Sequence, residues 1–284
     1  MTAPVGLETG VGVRCDHLRH VYRLDDGEVV ALDDVDITVH AGESVGILGA
    51  SGSGKSTLLT LLAGLLRPTA GHLYIGADDV AGMNERDLLR LRGQRIGVVL
   101  QNPARNLLPY GTGIDNVAFA QRAAYGYRRG QLPEPADLLG RLGLATLGEQ
   151  RVSRMSGGEQ QRLSVAVGMS AGPGLLLADE PTSQLDGANR DRVVELLGRV
   201  GAEFGSTVVV VTHDPEVAGA LGRTVTIHEG RADDGAQVLE QFSTIGADGS
   251  VLLPADVQRR LPPGSRVRVV RKASGVELIR SDEP

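Results

Sequence analysis

The feature that most constrains this chain is a glycine-rich segment, Gly49-Ala50-Ser51-Gly52-Ser53-Gly54-Lys55-Ser56. The segment fits the phosphate-loop pattern G-x-x-x-x-G-K-[S/T] at every defined position. An apolar strand candidate, residues 45–48, precedes it, and a helix candidate, residues 56–62, follows it. Between a strand and a helix, the backbone N–H groups of such a loop and the helix N-terminus face phosphate oxygens. The context therefore predicts a nucleotide-binding site rather than an ordinary glycine-rich turn.

Lysine usage supports the same interpretation. The chain contains only two lysines, Lys55 and Lys272, and otherwise carries its positive charge as arginine. A compact ammonium group on a flexible stem suits a phosphate cradle better than a planar guanidinium group does. We therefore predict that Lys55 binds the phosphates.

The composition indicates a globular protein with one sizeable core and an appendage. The chain has 284 residues, 41% of them hydrophobic, and a formal net charge of −6, which gives no general attraction to nucleic acid or anionic lipid. Its single cysteine, Cys15, excludes a disulfide framework and is expected to be a passive core residue. No apolar run approaches the roughly 20 residues that span a bilayer, and residues 1–12 lack a secretory pattern. We expect a cytoplasmic chain that reaches a membrane only through a partner.

Apolar runs that alternate with helical patterns predict an α/β layer fold with a parallel sheet. Residues 175–178 and 208–211 are wholly apolar, as is typical of strands covered on both faces. They flank a helix candidate over residues 188–204. Nearer the N-terminus, residues 29–32 and 35–39 are strand candidates.

An acidic pair follows the strand candidate at residues 175–178. Asp179 at the end of a buried strand beside a phosphate loop can hold Mg²⁺, together with the hydroxyl of Ser56. Glu180 can orient and polarise an attacking water. The pair alone could be a solvated acidic turn, but its position after a phosphate loop favours catalysis.

The second strong motif is Met155-Ser156-Gly157-Gly158-Glu159-Gln160-Gln161-Arg162. Ser156 and Glu159 fit the capping box that begins many helices, and this structural role is compatible with phosphate binding at the helix N-terminus. With this motif the chain resembles the ATP-binding cassette (ABC) ATPases, whose signature is usually written L-S-G-G-Q. Met155 stands where leucine is usual, and Glu159 where glutamine is usual.

Further positions match landmarks of that family. Tyr22 matches the aromatic residue that stacks on adenine, Gln101 the Q-loop glutamine, Asp186 the end of the D-loop (residues 183–186), and His213 the switch histidine that binds the γ-phosphate. The resemblance implies catalytic roles for Lys55, Glu180 and His213, and Mg²⁺ ligation by Ser56, Gln101 and Asp179. The ATP contacts that it implies are Tyr22, Gly49, Ala50, Ser51, Gly52, Ser53, Gly54, Lys55, Ser56, Thr57, Gln101, Ser156, Gly157, Gly158, Glu159 and Asp186.

The resemblance covers residues 11–232 and implies a RecA-like P-loop NTPase core. To this core the family adds an N-terminal antiparallel β-subdomain and a helical subdomain, here at about residues 102–165. A linker over residues 233–247 and a small β-rich module over residues 248–281 are predicted to follow. Within the module the sequence predicts a strand over residues 251–254, a short helix over 255–261, a turn over 262–265 and a hairpin over 266–279. The module resembles half of an AbrB-like swapped-hairpin barrel.

The implied function is that of an ATPase that dimerises around two Mg²⁺-ATP molecules. In the family, the signature of one subunit reaches the nucleotide of a second subunit, and a transmembrane permease is the further partner. The implied location is the cytoplasmic face of the membrane. The segment at residues 31–35 and the residues after Gln101 resemble those of one branch of the family, the macrolide-exporter and lipoprotein-release ATPases.

Two alternatives remain open at the level of sequence. One is an ABC ATPase that acts away from membranes, on DNA or the ribosome. The other is a DNA-binding regulator that uses the C-terminal module, where arginines and Lys272 form a local basic cluster. The acidic net charge and the lack of interleaved aromatic residues disfavour nucleic acid as a partner.

Overall fold

The computed structural model describes residues 10–24, 27–125, 132–233, 267–272 and 275–280. The chain divides into two compact units, Met1–Gly235 and Ala236–Pro284. Among the described residues, those of the first unit form two sheets and seven α-helices, and those of the second form a hairpin. The predicted limits of linker and module, residues 233–247 and 248–281, remain predictions, because most of those residues lie outside the described part.

The elements of the described residues are as follows. The strands are β1 (Val13–Leu24), β2 (Gly27–Val39), β3 (Ser44–Leu48), β4 (Ala70–Ile75), β5 (Asp78–Asp79), β6 (Ile96–Val99), β7 (Leu175–Asp179), β8 (Thr207–Thr212), β9 (Arg223–His228), β10 (Arg231–Asp233), β11 (Val267–Lys272) and β12 (Gly275–Arg280). The helices are α1 (Lys55–Leu62), α2 (Glu85–Arg95), α3 (Gly113–Tyr125), α4 (Pro135–Arg141), α5 (Gly157–Gly168), α6 (Gly187–Phe204) and α7 (Pro215–Gly219). Short 3₁₀ turns connect several of them.

The central sheet has the strand order β10-β9-β3-β8-β7-β6. Its strands β9, β3, β8, β7 and β6 run parallel, and β10 is antiparallel to β9. Helices connect the parallel strands, as parallel pairing requires. This sheet is the predicted α/β layer.

Alternate residues of the central strands face two different cores. On β7, Leu175 and Leu177 belong to the core that includes α1 and the antiparallel sheet. Leu176 and Ala178 belong to the core that includes α4, α5 and α6. Because both faces are covered, the strand needs apolar residues at every position. This accounts for the unbroken apolar runs in the sequence.

The second sheet is antiparallel, with the order β2-β1-β4-β5. The sequence predicts two strands within residues 29–39, whereas the structure has one long strand, β2. Register shifts interrupt the pairing of β1 with β2 between Cys15 and Val21. The predicted architecture, a parallel core with an N-terminal antiparallel subdomain and inserted helices, is confirmed.

The C-terminal hairpin joins β11 and β12 in antiparallel register, with Lys272 opposite Gly275. The sequence predicts this hairpin. The strand, short helix and turn predicted over residues 251–265 lie outside the described residues.

Across the ranges that the structure describes, no helix combines the length and apolarity needed to cross a bilayer.

Cys15 is buried on β1, with 2% of its surface exposed. Burial is the main cause that raises the pKa of its thiol, to about 12, and the charge of Asp16 adds to the effect. Since the thiolate is the reactive form, we expect no reaction with Ellman's reagent in the native protein at mildly alkaline pH. The unfolded chain should release one equivalent of chromophore. Rapid labelling of the native protein would contradict this buried environment.

Candidate functional site

Three neighbouring parallel strands bring the predicted site residues to one edge of the sheet. The pairing of β3 with β8 places Leu48 beside Thr212, and that of β7 with β8 places Asp179 beside Val211. The carboxyl ends of parallel strands meet at one edge. The phosphate loop after β3, Glu180 after β7 and His213 after β8 therefore converge.

Lys55 begins α1 and is only 6% exposed. Its Nζ donates hydrogen bonds of 2.7 Å to the carbonyl oxygens of Gly49 and Ala50, so the ammonium group lies inside the loop. Burial lowers the pKa of Lys55, and the charges of Glu180 and Asp179 oppose that shift. The loop thus holds a positive charge at the N-terminus of a helix, which suits a polyphosphate.

Gly54 caps α1 with a left-handed backbone, φ 102°. A Cβ at this position would lie 2.4 Å from the carbonyl oxygen of Ala31 on β2. Both the dihedral angle and the close approach require glycine. The last glycine of the motif therefore fixes how the loop sits against β2.

The loop also has an unused polar group. Ser53 Oγ is buried and has no hydrogen-bond partner among the described residues. The backbone of Ser53 is held from outside the motif, because Gly230 N, at the β9–β10 turn, donates to Ser53 O at 3.1 Å. Buried polar atoms without a partner are rare and call for an explanation, and a phosphate oxygen bound in the loop would supply one.

The proposed metal ligands Ser56 and Asp179 lie together. Ser56 Oγ donates to Asp179 Oδ1 at 3.5 Å. Burial raises the pKa of Asp179, the charge of Glu180 raises it further, and Ser56 and Lys55 oppose the shift. A hydroxyl and a carboxylate oxygen are the ligand types that Mg²⁺ takes in phosphate sites, so these residues fit that ion.

Glu180 occupies a strained position. Its φ is +45°, a left-handed conformation that costs non-glycine residues about 1–3 kcal/mol and often marks functional sites. Glu180 N donates to Val211 O at 2.8 Å. Its carboxylate Oε2 lies 2.7 Å from Nδ1 of His213. The strand pairing thus aims the Glu180 side chain toward the histidine after β8.

Tyr22 and Gln101 approach the site from other elements. The hydroxyl of Tyr22, on β1, lies 3.4 Å from Oγ1 of Thr57 on α1, so its ring lies beside the phosphate loop. Gln101 follows β6, and its Nε2 donates to Ser183 Oγ at 3.2 Å. This hydrogen bond connects the Q-loop glutamine with the D-loop.

The signature segment, residues 156–159, begins α5 with a complete capping box. Ser156 N and Ser156 Oγ donate to Glu159 Oε2 at 2.8 and 2.9 Å. Glu159 N donates to Ser156 Oγ at 3.3 Å. The backbone hydrogen bond from Ser156 is the main cause that lowers the pKa of Glu159. Ser156 and Gly157 are exposed, so the helix N-terminus is open to another molecule.

Asp186 caps α6, and its Oδ1 accepts from Asn189 N at 2.9 Å. Hydrogen bonds from Asn189 are the main cause that lowers the pKa of Asp186. The D-loop therefore ends as a rigid N-cap with a charged carboxylate.

The structure separates the predicted residues into two groups. Lys55, Ser56, Asp179, Glu180 and His213 converge at the sheet edge. Among the hydrogen bonds within residues 10–24, 27–125 and 132–233, none joins the signature segment to the phosphate loop. The family resemblance implies this separation, since it assigns the signature segment to a second subunit's nucleotide.

Sequence reasoning missed two contacts of these predicted residues. Ser183 binds Gln101 although 82 residues separate them, and nothing in the local pattern indicates this pairing. Asn189 binds Asp186 three residues before it. An Asp followed at the third position by Asn is a capping pattern, and that spacing could have revealed the contact.

Known proteins resemble this chain over most of its length. A family model described as ABC transporter matches residues 32–183. Lipoprotein-releasing system ATP-binding protein LolD 1 of Caulobacter vibrioides is 41% identical over 215 residues, which are 75% of this chain and 91% of that protein. Methionine import ATP-binding protein MetN of Corynebacterium efficiens is 39% identical over 217 residues, 76% of this chain and 60% of that protein.

A solved structure agrees with these matches. It is a dimeric ATP-binding cassette in a post-hydrolysis state, bound to ADP and Pi. Its TM-score is 0.68 and its sequence identity 31%, with 78% of this chain and 98% of that chain covered. Together the matches favour the predicted transporter subunit over the DNA-binding regulator.

The fit of Gly54 against β2 predicts a difference between two glycine substitutions. Gly54→Ala should lower the free energy of unfolding by at least roughly 1–2 kcal/mol, because the left-handed backbone disfavours a side chain. Gly187→Ala is the control, since a Cβ there meets nothing within 4 Å. It should change stability by less than about 1 kcal/mol, in the stabilising direction. If urea titrations gave the same change in the free energy of unfolding for both variants, glycine would not be required at position 54.

Proposed function

The chain belongs to the ABC transporter family as an ATP-binding protein, and from this premise we propose how its residues bind and hydrolyse ATP. The observation that carries the proposal is the convergence of Lys55, Asp179, Glu180 and His213 at one sheet edge. An ammonium group, two carboxylates and an imidazole meet there, although they lie on three separate segments of the chain.

The phosphate loop binds the triphosphate. Lys55 is already buried within the loop and can exchange its carbonyl partners for phosphate oxygens. Ser53 Oγ has no hydrogen-bond partner in the part of the chain that the structure describes, and the N–H groups at the start of α1 point toward the loop. The ring of Tyr22, beside Thr57, forms the surface on which the adenine stacks.

Ser56 and Asp179 would hold Mg²⁺, with Gln101 as a further ligand. The bound ion would neutralise phosphate charge. The raised pKa of Asp179 reflects burial beside Glu180, a setting in which a cation stabilises both carboxylates. Gln101 donates to Ser183 through Nε2, whereas its Oε1 is the atom that would ligate the ion.

Glu180 positions the attacking water and accepts its proton. The strained backbone and the bond to Val211 O hold Glu180 in one orientation. His213 lies 2.7 Å away and binds the carboxylate on one side, which leaves the other carboxylate oxygen for water. In the proposed hydrolysis, the attacking water therefore transfers a proton to Glu180.

The complete site needs a second copy of the chain. The signature segment presents exposed backbone N–H groups at the α5 N-terminus, and no described contact joins it to the phosphate loop of its own chain. A helix N-terminus of this kind binds anions. In a two-fold dimer each signature segment closes over the nucleotide of the other chain. Ser156 would then exchange its bond to Glu159 for a phosphate oxygen.

The ATPase acts on a membrane partner, and we place it at the cytoplasmic face of the membrane, held there by a permease. Its relatives include a lipoprotein-releasing system ATP-binding protein, and the proposed task is to convert ATP-driven dimer closure into movement of the permease. Purification of the chain from membranes of its own cells, followed by mass spectrometry, would identify that partner. Recovery without any membrane protein would contradict this part of the proposal.

Glu180→Gln should reduce ATP hydrolysis by roughly 100-fold or more, because the amide cannot accept a proton. ATP binding should persist, so the variant should form a stable dimer with ATP and Mg²⁺. Phosphate release and sizing chromatography measure the two effects.

The matched control for that variant is Glu149→Gln, an exposed glutamate for which we propose no role. It should hydrolyse ATP like the parent. A Glu180→Gln chain that stays monomeric with ATP and Mg²⁺ would contradict the two-chain site.

Lys55→Ala should weaken ATP binding by roughly 10- to 100-fold, because charge-assisted hydrogen bonds contribute about 1.5–3 kcal/mol. A fluorescent ATP analogue reports the affinity. Lys272→Ala changes the only other lysine and serves as the control. Equal ATP affinities of the two variants would contradict the assignment of Lys55 to phosphate binding.

A further inference from the structure

Asn189 touches both elements that would close over a partner's nucleotide. Its Nδ2 donates to Asp186 Oδ2 at 3.0 Å, so it binds the last residue of the D-loop. Its Oδ1 accepts from Arg162 NH1 at 3.4 Å, which lies on the signature helix α5. Asn189 is half-buried in the first turn of α6.

Asn189 also packs against the signature segment itself. Gly158 is buried, and a Cβ at that position would lie 2.5 Å from Cγ and Oδ1 of Asn189. A side chain at Gly158 would therefore displace the side chain of Asn189. Packing and hydrogen bonding both connect Asn189 to the N-terminus of α5.

We propose that Asn189 is a positioning residue that joins the D-loop to the signature helix, so that both meet the partner's nucleotide as one rigid surface. The proposal rests on the two-chain site described above. Asn189 touches no reacting atom. It acts through Asp186 on one side and through Gly158 and Arg162 on the other.

Asn189 would strengthen dimer closure because it orders the D-loop and the N-terminus of α5 before the two chains meet. A surface that is already rigid loses less conformational freedom on association. Without Asn189, the D-loop and the α5 N-terminus would be ordered independently during closure. The free chain would bind ATP as before, but closure of the dimer would be weaker.

Two substitutions separate this role from packing and from helix capping. The cap bond of α6 runs from the backbone N of Asn189 to Asp186, so Asn189→Ala retains it. Asn189→Asp has nearly the same shape and can still accept from Arg162. A carboxylate cannot donate to Asp186 and repels it, although an acidic residue in the first turn of a helix favours folding.

The chain offers a matched control at α2. There Asn84 is the N-cap, Asp87 N donates to Asn84 Oδ1 at 3.0 Å, and Asn84 Nδ2 donates to Asp87 Oδ2 at 2.8 Å. Asp87→Ala removes the same kind of side-chain bond three residues into a helix. Asp87 has no place in the proposed nucleotide site.

The experiment measures ATP-driven dimerisation by sedimentation in Glu180→Gln chains with ATP and Mg²⁺. Asn189→Ala and Asn189→Asp should each raise the dimer dissociation constant about tenfold, the effect of losing one charge-assisted hydrogen bond. Affinity for a fluorescent ATP analogue, measured at protein concentrations too low for dimers, should stay within about twofold. Asp87→Ala should dimerise like the parent.

The outcomes separate this inference from the proposed function. A parent Glu180→Gln chain that does not dimerise overturns the two-chain site and the coupling with it. A parent that dimerises, together with an Asn189→Asp chain that dimerises equally well, overturns the coupling alone. If only Asn189→Ala weakened dimerisation, Asn189 would merely fill space beside Gly158. That result would also overturn the proposed coupling.

Discussion

The parallel pairing of β3, β8 and β7 is the constraint on which the rest of the structure depends. It sets the phosphate loop, the acidic pair and His213 at the same height on one sheet edge, although the chain between them contains an entire helical region. The buried residues of these strands face two cores, so a shift of one residue in register would exchange the side chains that the two cores receive, and it would also separate the proposed catalytic groups. The same interstrand hydrogen bonds thus stabilise the fold and position the proposed catalytic groups.

The nucleotide site and the signature segment differ in how their polar groups are satisfied. Lys55 is bound to carbonyl groups of its own loop, and Ser156 to Glu159. In the proposed two-chain site, both side chains exchange these partners for phosphate oxygens. Ser53 Oγ, in contrast, has no hydrogen-bond partner among the described residues. In this proposal, nucleotide binding replaces hydrogen bonds inside one chain by hydrogen bonds that also reach a second chain, and ATP thereby holds the two subunits together.

Much of the fold was predictable because short segments of the sequence carry patterns that indicate their own structure. Lys55 lies in a motif of fixed spacing, and Asp179 and His213 directly follow apolar runs that only buried strands explain. The hairpin of β11 and β12 lies in the module that was predicted from the sequence to be β-rich. Strands β9 and β10 were not predicted, although Arg223–His228 alternates polar with apolar residues, the pattern of a half-buried strand. The bond between Gln101 and Ser183 depends on the three-dimensional arrangement of distant segments, so no pattern within either segment could indicate it. The strain at Glu180 is likewise set by strand pairing.

The central claim is that each triphosphate is bound by two chains, one through Lys55 and the other through Ser156. A crystal or cryo-EM structure of the Glu180→Gln protein with ATP and Mg²⁺ tests it most directly. The account predicts a dimer in which each γ-phosphate lies within hydrogen-bond distance of Lys55 Nζ from one chain and Ser156 Oγ from the other. A nucleotide that contacts a single chain, with Ser156 still bound to Glu159, would contradict it.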